Sequence, residues 1–376
     1  MNTKFGLRGC CALLGVLALV QCAQPAPAPE AAAPATNGGQ AGARKYIRFT
    51  GAGNSYPGFT RVGLMMLGAL KRDYPDHDTW IDFHESGRQF RDGVLRVMQG
   101  DAEIVFANPA HTPTLAYRGV AVFTKDGPQT GLRGIGKYPS DDWITFAVDP
   151  KLGITSVNEI RERKLGLKIG TAYQDGDNIM PFLLREVLRR HGISEADFTS
   201  WGGEIISTDY FKQPRGTNVR QAYSNGEINA LFLESGYDAN WAKNIGIRPM
   251  TFINLDPEAA KSLEAEWGWP SRYIRAGYYP GQPERVLALD FTDWALAVHE
   301  RMSDEMAYKL AQLFIERYPE MEGPPEVKVG MERITAGFGG NKREFVPAEQ
   351  IKMGIPLHPG AIRYYREKGI LPAGTN

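Results

Sequence analysis

Three short segments of small and polar residues have the composition of loops that bind an anion through the backbone. They cover Thr50 to Gly58, Glu85 to Arg88 and Thr171 to Asn178, and each lies between a predicted strand and a predicted helix. Free N–H groups at a helix N-terminus suit a carboxylate or a similar anion. Because any one segment could equally be a tight turn, the prediction of a binding site depends on finding three in equivalent places.

Arginine side chains beside these segments could supply positive charge to such a site. Arg88 and Arg91 lie at a predicted helix start, and Arg215 lies in the loop 213–218. A planar guanidinium can bind a carboxylate through two parallel hydrogen bonds, although a solvated surface position is the alternative for each arginine. Aromatic side chains that could line a pocket, or belong to the core instead, are Tyr56, Phe106, Tyr173 and Tyr210.

The sequence contains no convincing catalytic or metal-binding pattern. It lacks the phosphate-binding Gly-Lys-Ser/Thr loop, the Gly-x-Ser-x-Gly turn and the His-Glu-x-x-His helix motif. His84 and Glu85 are adjacent, so on a strand they would point to opposite faces, and His358 lies in a proline-rich turn. We therefore predict a protein that is not an enzyme and that needs no cofactor or metal.

The elements that must position these residues alternate between strand and helix, which predicts a mainly parallel sheet. Two series of such units, joined near Val148 and Pro249, predict an α/β protein with two lobes connected by a double crossover. Lobe 1 is predicted at 45–148 plus 250–376, and lobe 2 at 149–249. The predicted strands are 46–50, 79–84, 102–107, 142–148, 165–170, 203–208, 228–233 and 249–255, and the predicted helices are 59–74, 89–99, 156–163, 180–191 and 219–225.

The N-terminus has the pattern of an export signal. Lys4 and Arg8 precede an apolar stretch over 10–20, which is too short to span a bilayer as a mature helix. The Pro/Ala/Gly-rich residues that follow cannot build a core. We predict a signal peptide at 1–22, a tether at 23–44 and a periplasmic or other extracytoplasmic location.

All three cysteines lie before the tether, so the folded part can contain no disulfide and no cysteine metal site. Cys22 ends the apolar stretch at a position that resembles a lipoprotein acylation site, although Gln21 stands where a small residue is usual. The alternatives are lipidation of Cys22, which would anchor the protein to a membrane, and conventional cleavage. A formal net charge of zero gives no reason to expect nucleic acid or an anionic membrane as a partner.

Four segments together resemble one family of proteins. They are Thr50-Gly51-Ala52-Gly53, the turn Gly100 to Ile104 (GDAEI), Ala276 to Gln282 (AGYYPGQ) and Ile355 to Gly369 (IPLHPGAIRYYREKG). In this order they resemble the TAXI group of TRAP-transporter solute receptors, where TRAP denotes the tripartite ATP-independent periplasmic transporters. The similarity runs from about Tyr46 to Leu371.

The resemblance implies a type II periplasmic-binding-protein-like fold, in which two α/β lobes joined by a hinge close around a ligand. It also implies a TRAP membrane permease as partner, and a small organic acid, amino acid or dicarboxylate as ligand. With the residues of the three segments and Arg215, the predicted ligand-binding set is Thr50, Gly51, Gly53, Asn54, Ser55, Tyr56, Ser86, Gly87, Arg88, Asn108, Thr171, Tyr173, Asp177, Asn178 and Arg215.

The sequence departs from the family in the parts that would face the ligand. The segment 171–178 contains Asp175 and Asp177 where the family has Gly-Ser-Gly-Thr, and the loop 212–218 has no counterpart. These carboxylates could repel a dicarboxylate, or pair with an amino group or with Arg215, so a zwitterion or an aromatic acid is as reasonable a ligand. The alternatives to a transport receptor are an enzyme on a similar scaffold, a ligand sensor coupled to another protein, and a structural lipoprotein.

Overall fold

The computed structural model describes residues 45–52, 57–83, 90–140, 142–172, 178–207, 219–234, 245–319, 327–329, 332–334, 344–372 and 374. The side chains of 52, 57–61, 82–83, 327–329 and 332–334 are not among the described parts. Several predicted site residues lie outside the described residues, namely Cys22, Gly53, Asn54, Ser55, Tyr56, Ser86, Gly87, Arg88, Tyr173, Asp177 and Arg215.

Strands and helices alternate through most of the described chain. The strands are β1 (Lys45–Ala52), β2 (His77–Phe83), β3 (Ile104–Ala107), β4 (Leu132–Tyr138), β5 (Trp143–Val148), β6 (Lys168–Thr171), β7 (Glu204–Ser207), β8 (Ala230–Glu234), β9 (Thr251–Ile253), β10 (Ser271–Ile274), β11 (Val286–Asp290), β12 (Trp294–His299), β13 (Val327–Val329) and β14 (Glu332–Ile334). The helices are α1 (Pro57–Asp73), α2 (Arg91–Gln99), α3 (Thr112–Arg118), α4 (Asn158–Glu162), α5 (Ile179–Arg190), α6 (Glu195–Ser200), α7 (Val219–Asn225), α8 (Pro257–Trp267), α9 (Asp304–Glu316), α10 (Pro347–Gln350) and α11 (Pro359–Glu367).

The first sheet has the strand order β2-β1-β3-β12-β4. β1 pairs in parallel with β2 and β3, and β12 is antiparallel to β3 and β4. Helix α1 buries Val62, Met66 and Leu70, the apolar residues that its period of 3.6 places on one face. The close approach of α1 to the sheet is visible at Gly63, where an added Cβ would lie 2.7 Å from the side chain of Ile81.

The second sheet has the order β10-β11-β5-β8-β6-β7, and β9 also pairs with β5. β6 is parallel to β7 and β8, whereas β5 is antiparallel to β8, β9 and β11. The α/β class with two sheets is therefore confirmed, but the prediction of mainly parallel sheets is wrong. The antiparallel pairs arise because the chain passes from one sheet to the other twice. The first strand after each crossing, β5 or β12, starts at the edge where the parallel strands of its new sheet end, and it therefore runs in the opposite direction.

The two crossings lie between β4 and β5, from Tyr138 to Trp143, and between β11 and β12, from Asp290 to Trp294. The lobe boundaries themselves stay a prediction. The strands over 143–148, 251–253, 271–274 and 286–290 belong to the second sheet, so a division by sheet would place the boundaries near these crossings rather than at 148 and 250.

The local sequence determines where helix α5, which follows β6 of the second sheet, is buried and where it ends. Leu183, Leu184 and Val187 are fully buried on one face, and Gly192 adopts φ +72° just after the helix, a left-handed conformation that glycine favours at helix ends. In the part of the chain that the structure describes, no helix is both long and apolar enough to cross a membrane.

Candidate functional site

The registers of the strands bring the carboxyl edges of both sheets to the crossings. In the first sheet, Ala107 at the end of β3 lies opposite Ala295 at the start of β12. In the second, Glu234 at the end of β8 lies opposite Ile144 at the start of β5. Open α/β sheets bind ligands beyond these carboxyl edges, so the residues around the two crossings form the candidate site.

Thr50 and Gly51 end β1 at the edge of the first sheet. Thr50 lies opposite Val105 of β3 and is fully buried, and its Oγ1 has no hydrogen-bond partner among the described residues. Gly51 has φ +94°, and an added Cβ would lie 2.3 Å from the carbonyl oxygen of Phe106. Only glycine fits this position, because the backbone of β1 bends directly against β3.

Asn108 follows β3 at the same edge. Its side chain is buried, and Oδ1 has no hydrogen-bond partner among the residues that the structure describes. Its backbone carbonyl accepts a hydrogen bond of 3.3 Å from Oγ1 of Thr112, which fixes the turn into α3. A buried polar atom without a partner costs about 1–3 kcal/mol, so it requires a ligand, a water molecule or another explanation.

The predicted residues at the edge of the second sheet make hydrogen bonds within the fold. Thr171 is fully buried and its Oγ1 donates to the carbonyl oxygen of Phe232 at 3.0 Å. Oδ1 of Asn178 accepts from the backbone N–H of Met180 at 3.0 Å, which makes Asn178 the N-cap of α5. The structure therefore brings both residues to the predicted edge, where these contacts stabilise the β6–α5 unit.

Three other residues considered from the sequence have structural contacts. Arg91 makes a two-pronged ion pair with Asp126, with distances of 2.7 and 2.6 Å from Nε and Nη2. Phe106 is fully buried and packs edge-on against Trp294, with ring centroids 5.6 Å apart. His358 is the N-cap of α11, where Nδ1 accepts from the backbone N–H of Gly360 at 3.2 Å.

The two crossing segments are hydrogen-bonded to each other. Ser140 N–H donates to Oδ1 of Asp293 at 3.2 Å, and Asp293 N–H donates to the carbonyl oxygen of Ser140 at 3.2 Å. Lys137 Nζ lies 3.3 Å from the other carboxylate oxygen of Asp293, whose backbone has φ +59°. Sequence reasoning missed these residues, because no local pattern shows that segments about 150 residues apart lie side by side.

One pair of titratable side chains links the two sheets beside the crossing between β11 and β12. Nε2 of His111, just before α3, lies 3.7 Å from Oδ1 of Asp290 at the end of β11. Burial tends to raise the pKa of Asp290, but His111 and the donors of Thr292 outweigh it, so the pKa lies below its usual value. The backbone N–H of Thr292 donates to Oδ1 of Asp290 at 2.7 Å.

Among the described residues, no group of three or more His, Cys, Asp or Glu side chains could hold a metal ion.

The model of the NMT1-like family matches residues 92–369, well over half of the 376-residue chain. The chain belongs to the NMT1-like family. The matched range includes Asn108, Thr171 and Asn178 and begins after Thr50 and Gly51.

Solved structures similar to this NMT1-like chain include three binding proteins. The periplasmic aliphatic sulphonate binding protein from Escherichia coli is 12% identical, with 74% of this chain and 76% of that chain covered and a TM-score of 0.38. A TctC solute binding protein from Polaromonas is 12% identical, with 73% and 84% covered and a TM-score of 0.42. A TRAP periplasmic solute binding protein from Ochrobactrum anthropi is 13% identical, with 74% and 76% covered and a TM-score of 0.38.

Proposed function

We propose that this protein is the solute-binding receptor of a TRAP transporter of the TAXI group. It captures a small organic acid or amino acid between two lobes and delivers it to a membrane permease. The observation that carries the proposal is that two of the buried polar atoms without described partners, Oγ1 of Thr50 and Oδ1 of Asn108, belong to the predicted ligand-binding residues. Thr50 ends β1, which pairs with β3, and Asn108 follows β3, which pairs with the crossing strand β12.

The chemistry of these two atoms favours a ligand with both a donor and an acceptor. Asn108 Oδ1 can only accept a hydrogen bond, whereas the Thr50 hydroxyl can donate or accept. An ammonium or hydroxyl group of the ligand would satisfy the first atom, and a carboxylate would satisfy the second. An amino acid or a hydroxy acid therefore fits these two positions better than a simple dicarboxylate does.

The paired crossings support a receptor that closes on its ligand. Between the described strands of the five-stranded sheet and those of the seven-stranded sheet, the chain crosses only through these two segments, which are hydrogen-bonded to each other through Ser140 and Asp293. A ligand that contacts strand ends of both sheets binds one arrangement of the sheets better than others, and so shifts the population toward it. This is the behaviour expected of a hinge at 139–142 and 291–293.

The remaining predictions belong to the same proposal. The signal peptide at 1–22 would send the protein out of the cytoplasm, and acylation of Cys22 would anchor it while the tether lets it reach the permease. As a receptor it would bind its ligand without converting it. Metabolic labelling with a fatty acid, compared between the native chain and Cys22→Ser, distinguishes acylation from conventional cleavage.

A thermal-shift screen of the purified protein against amino acids, hydroxy acids, dicarboxylates and aromatic acids tests the proposal. A ligand that binds only the folded state at a hundred times its Kd adds about 2.7 kcal/mol of stability. We expect one class to raise the melting temperature, and Asn108→Ala to reduce that rise by about half or more. If a compound is instead slowly converted, as followed by mass spectrometry, the protein is an enzyme and the proposal is wrong.

A further inference from the structure

The hairpin from β10 to β11 carries three arginines whose guanidinium groups lie over aromatic rings. We call the exposed surface formed by residues 271–285 the β10 platform. A guanidinium over an aromatic face is held in place while its edge remains able to bind an anion. The pairs, with distances from the guanidinium carbon to the ring centroid, are Arg285 over Tyr273 at 4.1 Å, Arg275 over Tyr278 at 5.3 Å and Arg272 over Trp143 at 5.3 Å.

Two of these arginines present unneutralised charge to solvent. Arg275 and Arg285 are exposed, and neither guanidinium forms a hydrogen bond or an ion pair with any described residue. Tyr273, whose ring lies under Arg285, is 47% exposed. In contrast, Arg48 on the first sheet is paired with Glu103 at 2.8 Å. The platform thus combines exposed aromatic surface with two guanidinium groups that lack a described counter-charge.

The loop that carries these arginines is fixed from within by one buried side chain. Nε2 of Gln282 donates to the carbonyl oxygens of Arg275 and Glu284, at 3.2 and 2.9 Å, and its Oε1 accepts from the N–H of Tyr279 at 3.3 Å. The Tyr279 ring stacks on Phe252 with centroids 4.4 Å apart. A rigid platform loses little conformational entropy when a partner binds, which favours recognition.

The platform also includes a sheet edge. β10 stands at the end of the second sheet and, of the described strands, pairs only with β11. The outer N–H and C=O groups of an edge strand can accept an additional strand from another chain.

We propose that the β10 platform docks an extended acidic segment of a partner protein. The segment adds a strand to β10 and places its carboxylates on Arg275 and Arg285. The observations favour a protein over a lipid surface for two reasons. Recognition of anionic lipids uses clusters of four to eight basic residues, whereas the platform has three arginines with Glu284 beside them. A strand edge also gives a lipid headgroup nothing specific to bind.

In the receptor proposed above, such a partner would be the extracytoplasmic face of the permease, and only that identification rests on the proposed function. Docking can be measured without knowing the solute. If the acidic peptide does not bind, the docking proposal is wrong. If no solute binds in the screen, the proposed receptor function is wrong.

Fluorescence anisotropy of the purified full chain with a labelled Glu-Val-Glu-Val-Glu-Val peptide tests the inference. We expect binding that weakens with salt and falls at least tenfold in the double variant Arg275→Gln/Arg285→Gln. The matched control Arg72→Gln/Arg163→Gln removes the same charge from two exposed positions in α1 and after α4, and should change binding less than twofold. If both double variants lost the same affinity for the peptide, binding would depend only on the net charge of the protein, and the proposal would be wrong.

Two further probes separate strand addition from other modes. The peptide Glu-Pro-Glu-Pro-Glu-Pro has the same charge but cannot pair along a strand, so equal binding of both peptides would overturn the proposal. Vesicles of phosphatidylcholine with 30% phosphatidylglycerol test a lipid surface, and binding of vesicles without binding of the peptide would also overturn it. Melting temperatures of all variants within about 2 °C of the native value show that the fold is intact.

Discussion

The carboxyl edges of the two sheets contain the same kinds of residue in different hydrogen-bonding states. At the first edge, Thr50 and Asn108 are buried and have side-chain oxygens without partners among the described residues. At the second, Thr171 donates to a strand carbonyl and Asn178 caps a helix. Residue type and position, with the family resemblance for Asn108, therefore predicted four ligand contacts, whereas hydrogen bonding separates them into two groups.

The difference matters because unpaired and paired buried groups act in opposite directions on stability. A buried oxygen without a partner costs free energy in the ligand-free protein, and this cost is removed when a ligand supplies the hydrogen bond. A buried oxygen with a partner already stabilises the fold. The first edge is thus the stronger candidate for ligand contact, and paired substitutions at the two edges can test this distinction.

The largest effect is expected at Gly51. Gly51→Ala should lower the free energy of unfolding by at least about 3 kcal/mol, because the new Cβ would lie 2.3 Å from the carbonyl oxygen of Phe106. Gly100 is the matched control, since it also has positive φ but an added Cβ would meet nothing within 4 Å. Gly100→Ala should cost about 1 kcal/mol from backbone strain alone.

Urea denaturation of both variants measures this difference. If Gly51→Ala were no more destabilising than Gly100→Ala, the close contact between β1 and β3 would be wrong. The first edge would then not be the rigid arrangement on which the position of Thr50 depends.

The second comparison replaces one asparagine at each edge. Asn108→Ala should weaken ligand binding at least tenfold, because the ligand loses its hydrogen-bond acceptor. The substitution also removes the unpaired oxygen from the ligand-free protein, so no hydrogen bond of that oxygen is lost from the fold. Asn178→Ala should lower the free energy of unfolding by about 1 kcal/mol through loss of the N-cap of α5. Calorimetric titration with the solute found by the screen, and urea denaturation, separate the two effects. The opposite assignment of effects would contradict the distinction between the edges.

The third comparison uses the two threonines, for which valine is close in shape. Thr171→Val should cost about 1 kcal/mol, because the carbonyl oxygen of Phe232 loses its donor. Thr50→Val should leave the ligand-free protein as stable or slightly more stable, since no described partner loses a bond, and it should weaken solute binding. Equal destabilisation by both substitutions would indicate that Thr50 has a partner within the fold.

Much of the first half of the fold could be predicted, because its signals are local. Alternation and helical spacing predicted a strand at 46–50 and a helix at 59–74, and the structure has β1 at Lys45–Ala52 and α1 at Pro57–Asp73. The direction of β5 and β12 was not predictable in this way. It is set by which distant strand each one pairs with, and periodicity within a segment contains no information on that partner.

The candidate site could be predicted by position but not by hydrogen bonding. Strand ends followed by small residues indicated Thr50 and Thr171, and the family resemblance indicated Asn108. That Thr171 lies beside the carbonyl of Phe232, 61 residues away, follows from the pairing of β6 with β8. The contact between Ser140 and Asp293 likewise depends on both crossings being in place. Such long-range contacts decide which polar groups remain available for a ligand.

The smallest effect concerns the far end of α5, which Asn178 caps at its start. Nδ1 of His191 lies 2.6 Å from the carbonyl oxygen of Val187, and Nε2 accepts from the N–H of Asp256 at 2.9 Å. Because that N–H can only donate, the ring must be neutral with its hydrogen on Nδ1. Burial lowers the pKa of His191 below 6.5, so protonation would require breaking the contact with Asp256.

Since the pKa is lower in the folded state, the unfolded chain binds more protons, and stability falls as pH drops below about 6.5. The loss for one such histidine is at most about 0.7 kcal/mol between pH 7 and pH 6. His191→Gln, which can keep both hydrogen bonds without titrating, should reduce the slope of unfolding free energy against pH over this range. An unchanged slope would show that His191 does not fasten α5 to the start of α8, and that the second edge is less firmly built than its hydrogen bonds indicate.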